Sequence, residues 1–323
     1  MRTIALEEHY WTPELAAVSG DMWMVKVLGQ QLDDKLRDLG DERIEGMDAE
    51  GIDVQVISHT PPAAQHLEPA EAVKRAREAN DRLAEAVRAH PDRFAGFATL
   101  PTSDPPAAAD ELERTVTEHG FVGALVSSTL GTNGVFLDDA RFEPLLDRAE
   151  RLGAPIYLHP SEPPQPLRDV LYAGLPQATA MILATGPWGW HTVAGLEALR
   201  LVTTGAFERH PRLRLILGHC GEIVPFMLAR IDDLVKPERI GMAKAPSEYF
   251  LHNVWVTTSG LFTLPPVMCT IQVFGVDRVL WSVDYPYSRN EQGRSLLDKL
   301  DLAPADKEKI AGGNAERLLG LNR

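Results

Sequence analysis

The sequence predicts an α/β protein built as one (β/α)8 barrel over residues 1–323, and three observations carry that expectation. Short β-branched runs recur eight times, helical patterns fill most of the intervals, and no glycine-rich dinucleotide fingerprint or phosphate loop follows any run. Length alone decides little, because 323 residues suit two domains as well as one large barrel.

The runs, in order, are "TIALEEH" (3–9), "DVQVISH" (53–59), "RFAGFATLP" (93–101), "FVGALVSS" (121–128), "PIYLHP" (155–160), "LRLILGHCG" (213–221), "VWVTTSG" (254–260) and "RVLWSVDYP" (278–286). Each reads as a strand buried on both faces, as a parallel sheet covered by helices requires. Over 68–93, Val73, Ala76, Leu83 and Val87 share one face at a 3.6-residue period, with Pro69 at the helix start and Pro91 closing it. A second helix precedes Gly120, which is placed to end it before the fourth strand. The stretch from Ser161 to about Gly195 holds five prolines and "GPWGWH", and reads as a long loop at a strand's carboxyl end, with Trp188 and Trp190 as wall or packing residues.

A formal net charge of −14 and a pI near 5.2 argue against nucleic acid or anionic membrane as partner, because an acidic surface repels polyphosphate and phospholipid alike. No apolar run approaches the roughly 20 residues of a membrane span, and the N-terminus lacks the regions of a secretory signal. The expected compartment is the cytoplasm. Cys220 and Cys269, the two cysteines, read as core thiols.

The chemistry collects at the strand ends. Glu7 and His9 end the first strand, His159 the fifth, His219 the sixth and Asp284 the eighth, and a barrel brings all of these ends to one face. Residues i and i+2 of a strand share a side, so Glu7 and His9 face the axis together while Glu8 faces away. With His159 and Asp284 they make two imidazoles and two carboxylates, a donor set for Zn²⁺ that also accepts Mn²⁺ or Fe²⁺. Glu222, three residues after His219, is placed to orient that imidazole for acid–base work. Arg230 reads either as a contact for an anionic substrate or as an ion pair with Asp232, Asp233 or a partner subunit. His59 ends the second strand and is a candidate for the pocket wall, whereas His66, His90, His119, His210 and His252 read as surface or capping residues.

"ALEEH", "YLHP", "LGHCGE", "TTSG", "SVDYP" and the closing "GGNAERLL" resemble the metal-dependent decarboxylase branch of the amidohydrolase superfamily, the group of γ-resorcylate and 2,3-dihydroxybenzoate decarboxylases. The resemblance runs over nearly the whole chain. It implies an amidohydrolase-like TIM barrel, one divalent ion, Zn²⁺ or Mn²⁺, held by Glu7, His9, His159 and Asp284, His219 with Glu222 as the adjoining catalytic pair, and no organic cofactor. It also places Arg230 at a substrate contact and Tyr287 where an aromatic residue approaches the ring, and implies a homodimer or homotetramer. Hydrolytic relatives usually begin with His-x-His, where this chain has Glu-x-His. The loop "SSTLGTNGVFLDD" is shorter than in γ-resorcylate enzymes and leaves the ring substitution pattern open.

The implied reaction is reversible, non-oxidative loss of CO₂ from an aromatic acid with a hydroxyl ortho to the carboxylate, Asp284 delivering the proton and His219 acting on the phenol. The alternative is a metal-dependent hydrolase or lactonase of the same superfamily, in which the ion activates water.

Overall fold

The structure, a computed structural model, describes residues 1–19, 29–131 and 134–321. Thr132 and Asn133, within the short loop after the fourth strand, lie outside the described residues. All eight expected strands form: β1 (Ile4–Tyr10), β2 (Val54–His59), β3 (Phe94–Thr99), β4 (Gly123–Ser127), β5 (Ile156–His159), β6 (Leu215–Leu217), β7 (Val254–Thr257) and β8 (Val279–Leu280). They pair in parallel in chain order, and a bridge between Leu6 and Ser282 joins the last strand to the first. The sheet is thereby a near-closed barrel. No helix among the described residues is long and apolar enough to cross a membrane.

Helices lie between the strands: α1 (Asp41–Ala49), α2 (Pro69–Ala89), α3 (Pro105–His119), α4 (Glu143–Leu152), α5 (Gly189–Thr203), α6 (Val224–Leu234), α7 (Leu264–Phe274) and α8 (Asn290–Lys299). Gly120 ends α3 in the left-handed region at φ 69°, which a residue without Cβ adopts at no steric cost. In α2 the buried face is centred on Ala72, Ala76, Ala79, Leu83 and Ala84, one step round from the expected stripe, and Val73 and Val87 are only half-buried. Alanines set that face because they let the helix lie close to the sheet.

Two apolar layers result. Ile4, Leu6, Val54, Val56, Phe97, Leu125, Tyr157, Ile216 and Leu280 fill the barrel interior, with Leu318 and Leu319 of the final helix packed on the same cluster. Alternate residues such as Ala5, Ile57, Val126, Leu158 and Val256 pack outward in the larger cluster that includes the helices.

Two expectations need correction. The proline-rich insertion is helical in part, over Gln165–Leu171 and Gln177–Ala184, because prolines at and just after the starts preset helical φ where no N–H is needed. The eighth strand is shorter than its sequence run, because the Trp281 N–H turns to the Ile310 carbonyl and leaves the ladder.

Glu197 on α5 illustrates what burial does to a carboxyl group here. It is fully buried, one oxygen accepts from the Leu137 N–H at 2.7 Å, and the other has no partner. Burial, with Asp138 adding to it and the Leu137 bond opposing, holds its pKa well above the ordinary 4.5. The folded state therefore keeps a proton that the unfolded chain releases, so this contribution is complete below about pH 4.5 and declines above it until the folded group itself ionises. Glu197→Gln is expected to melt close to the parent near pH 4.5 and progressively higher than the parent toward pH 8. Melting curves whose gap does not widen with pH contradict it.

Candidate active site

The site begins with an irregularity in β1. Ile4 and Leu6 point into the barrel, so strict alternation would send Glu8 inward and Glu7 and His9 outward. Instead the register with β2 slips between Ala5 and Glu8, and Glu7 takes φ 63°. This bulge reverses the alternation, and Glu7 and His9 turn inward together. Their ligand atoms and that of His159, on β5, lie within 4.8 Å of one another.

Each side chain has a partner that aims it. His159 donates from Nδ1 to the Pro160 carbonyl at 2.7 Å, which leaves Nε2 to face Glu7 Oε1 at 3.3 Å. Nδ1 of His9 lies 3.3 Å from Ser58 Oγ, and its Nε2 is 3.4 Å from Asp284 Oδ1. Tyr157 from the barrel interior donates to Glu7 Oε2. Glu7 Oε1 and His9 Nε2 remain buried without a hydrogen-bond partner. Orphaned buried polar atoms of this kind are costly, and an oxygen and a nitrogen orphaned side by side fit a shared divalent cation. Burial, helped by the neighbouring His9 and His219, pushes His159 down to about 3, the neutral form a metal requires.

Asp284 lies beyond the end of β8, in a turn with φ 73°. Glu8 holds that turn: its two carboxylate oxygens accept from the Val283 and Tyr285 N–H groups at 2.9 and 3.0 Å, one on either side of Asp284. Glu8 thus faces away from the axis as expected, yet it is fully buried. Despite burial, the neighbouring imidazoles of His219 and His9 bring Asp284 down to about 2.

His219 follows β6 in a tight turn with Cys220, Gly221 and Glu222. Its N–H donates to Ser259 Oγ at 3.0 Å, and its Nδ1 donates to Glu222 Oε1 at 2.8 Å. Nε2 then looks toward Asp284 Oδ2 at 3.9 Å and Glu7 Oε1 at 4.0 Å. Burial works against the imidazolium, but the charges of Glu7 and Glu222 outweigh it and the His219 pKa stands well above its ordinary value. Glu222 is held down at about 2, burial being overcome by His219 and by a second imidazole, His191. His191, the histidine of "GPWGWH", donates from Nδ1 to Glu222 Oε2 at 2.7 Å, a role that its place in the proline-rich stretch does not signal. His191, His219 and Glu222 also lie within 4.8 Å, but their facing atoms are bonded to one another and leave no open donor.

Seven non-glycine residues among those described have positive φ, and six of them, Glu7, His219, Cys220, Glu222, Ile223 and Asp284, belong to this site or its turn. Each costs on the order of 1–3 kcal/mol and persists because burial and hydrogen bonds hold it, a concentration of strain typical of functional sites.

Other candidates fall elsewhere. Tyr287 stacks edge-on to His9, with ring centroids 5.5 Å apart and its hydroxyl bonded to Thr60, so it borders the site. His59 is occupied on both nitrogens, by the Thr12 N–H and the Thr60 carbonyl, and ties loops together instead of lining the pocket. Arg230 is exposed on α6, and no ion pair forms with Asp232 or Asp233. His210 caps a helix but is buried against Glu143.

Residues 8–321 match the amidohydrolase family model. The γ-resorcylate decarboxylase of Rhizobium sp. is 38% identical over 99% of this chain and 98% of its own. A crystal structure of 2,6-dihydroxybenzoate decarboxylase complexed with 2,6-dihydroxybenzoate superposes with a TM-score of 0.91 at 37% identity, covering 100% of both chains. The dihydroxybenzoic acid decarboxylase of Polaromonas sp., solved with manganese and the inhibitor 2-nitroresorcinol, gives a TM-score of 0.91 at 35% identity over 100% of this chain and 98% of that one.

Proposed function

The chain belongs to the amidohydrolase family and, within it, is a metal-dependent non-oxidative decarboxylase of hydroxylated aromatic acids; from this premise we propose that its substrate carries a hydroxyl ortho to the carboxylate. The orphaned pair Glu7 Oε1 and His9 Nε2, deep in the carboxyl-end face of the barrel, carries the reading. Glu7, His9, His159 and Asp284 hold one divalent ion, and a mixed oxygen and nitrogen donor set suits Mn²⁺, the ion in the Polaromonas structure, as well as Zn²⁺. When bound, the ion supplies Lewis-acid attraction for the carboxylate and the adjacent phenol oxygen.

The protein's own groups handle the proton. Glu222 fixes the His219 ring with Nδ1–H outward, so Nε2 is the atom that meets the phenol, and it would take the phenol proton when a cation held at Glu7 offsets the charge that favours the imidazolium. Asp284 Oδ2, 3.9 Å from that nitrogen, is placed to receive the proton and deliver it to the ring carbon. There the C–CO₂ bond breaks, its electron pair stays on the ring, and the new C–H bond consumes the pair. The reverse sequence is carboxylation, favoured at high bicarbonate.

An ortho-hydroxybenzoate can offer carboxylate and phenol oxygens to one centre in a six-membered chelate, whereas meta and para isomers cannot. CO₂ release from salicylate or a 2,6-dihydroxybenzoate is expected to exceed that from the meta and para isomers by at least about 10²-fold, the usual cost of a misplaced reacting group. Metal-replete protein is assayed on that panel beside lactones and amides. Lactone or amide hydrolysis without CO₂ release overturns the reading in favour of the hydrolase.

We also propose that the chain assembles as a homodimer or homotetramer. Large exposed apolar side chains concentrate over 167–188 and 223–234, with Val170 73% and Phe226 81% exposed. Arg230 lies between Phe226 and Leu234 at four-residue spacing on α6, which supports a contact with a partner subunit across this face.

A further inference from the structure

Helix α5 meets the catalytic turn through two residues one turn apart. Gly195 approaches so closely that a Cβ there would stand 2.4 Å from the Glu222 carbonyl oxygen. His191, four residues earlier and on the same face, reaches the Glu222 carboxylate itself. Its other nitrogen, Nε2, lies 2.5 Å from the carbonyl of Gly186, in the insertion that follows β5. An ionised carboxylate only accepts, so Nδ1 carries the hydrogen of the Glu222 bond. Its ring centroid lies 4.8 Å from that of His219.

We infer that His191 is a positioning residue for the decarboxylation: it fixes the Glu222 carboxylate, and through it the His219 ring, and ties both to the proline-rich insertion. The inference rests on the decarboxylase reading of the site. Glu222 has one oxygen for each imidazole. With the His191 bond in place the carboxylate cannot rotate without losing two charge-assisted hydrogen bonds, and His219 has a single orientation in which Nδ1 points back and Nε2 forward. Without it, Oε2 is left buried and unpaired, and Glu222 is free to turn away from His219. Because the Gly186 carbonyl anchors the same ring, the orientation of the catalytic pair also depends on how the insertion is seated.

The test combines kinetics in two backgrounds with a spectroscopic reading of the unmutated protein. His191→Ala is expected to lower kcat about 10- to 100-fold with KM within about twofold and metal content unchanged, the usual size of a lost outer hydrogen bond. His191→Asn, whose amide N–H stands near the Nδ1 position, recovers part of that loss. In a Glu222→Gln background the same His191→Ala change costs less than about twofold, because its route to His219 is already cut. Separately, ¹⁵N spectra of histidine-labelled wild-type protein are expected to show a hydrogen-bonded proton at His191 Nδ1. Equal losses in the two backgrounds, no loss in the parent, loss of metal, or no hydrogen-bonded proton at His191 Nδ1 each overturn the inference. Absence of CO₂ release from the wild type defeats the decarboxylase reading instead, and the spectra still decide whether the clamp exists.

Discussion

His159→Ala is expected to lose the metal and the activity together. The imidazole is held by the Pro160 carbonyl with Nε2 pointed at Glu7, 3.3 Å from its Oε1. Removing it leaves one imidazole, His9, to hold an ion between two carboxylates, in a set that no longer closes around the cation. Loss of an outer partner alone typically costs 10–100-fold in metal affinity, and a direct ligand costs at least that, so turnover at limiting metal is expected to fall by more than about 100-fold. Elemental analysis after dialysis checks it, with circular dichroism confirming the fold. The parent protein is expected to retain one ion per chain, because the second cluster, His191 with His219 and Glu222, is closed by its own hydrogen bonds. Full metal content with near-normal turnover in the variant would remove His159 from the ligand set, and two ions per parent chain would contradict the closed cluster.

The strands were legible because a parallel barrel buries both faces of each one, and runs such as "PIYLHP" and "LRLILGH" have no other economical reading. The convergence of Glu7, His9 and His159 followed from their positions at strand ends. Which way β1 turns them did not. Period-two alternation puts Glu7 and His9 on one side, but the apolar Ile4 and Leu6 claim the interior first, and only the bulge at Glu7 reconciles the two demands. A left-handed glutamate is the last conformation that propensity would assign, so this feature belongs to tertiary structure alone.

The same limit hid His191 and the clamping role of Glu8. Glu222 and His191 are 31 residues apart and meet because Gly195 lets α5 close on the turn after β6. Glu8 looked like the outward member of its strand, and it is, but the surface it meets is the backbone around Asp284 and not solvent. Prolines in the insertion read as loop signals, although a proline in a first helical turn is compatible with either state. Arg230, read as a contact for an anionic substrate or as an ion-pair partner, is exposed on α6.

His219→Asn is expected to separate binding from chemistry. The asparagine amide can still donate to Glu222 from near the Nδ1 position, so the turn after β6 keeps its principal hydrogen bond. What disappears is Nε2, the nitrogen that faces Asp284 and Glu7 from 3.9 and 4.0 Å. Those distances set His219 beside the cluster of Glu7, His9 and His159 and not within it, so the variant is expected to bind its metal at full stoichiometry. An amide cannot take the phenol proton, and turnover should fall by roughly 10²-fold or more, the ordinary worth of a positioned acid–base group. The KM for an ortho-hydroxybenzoate should change little, because carboxylate and phenol oxygens are held by the ion and not by this ring. Metal analysis and steady-state kinetics on one preparation decide the matter: a collapse of metal content would make His219 a ligand and leave the proton with no base on this side of the ring.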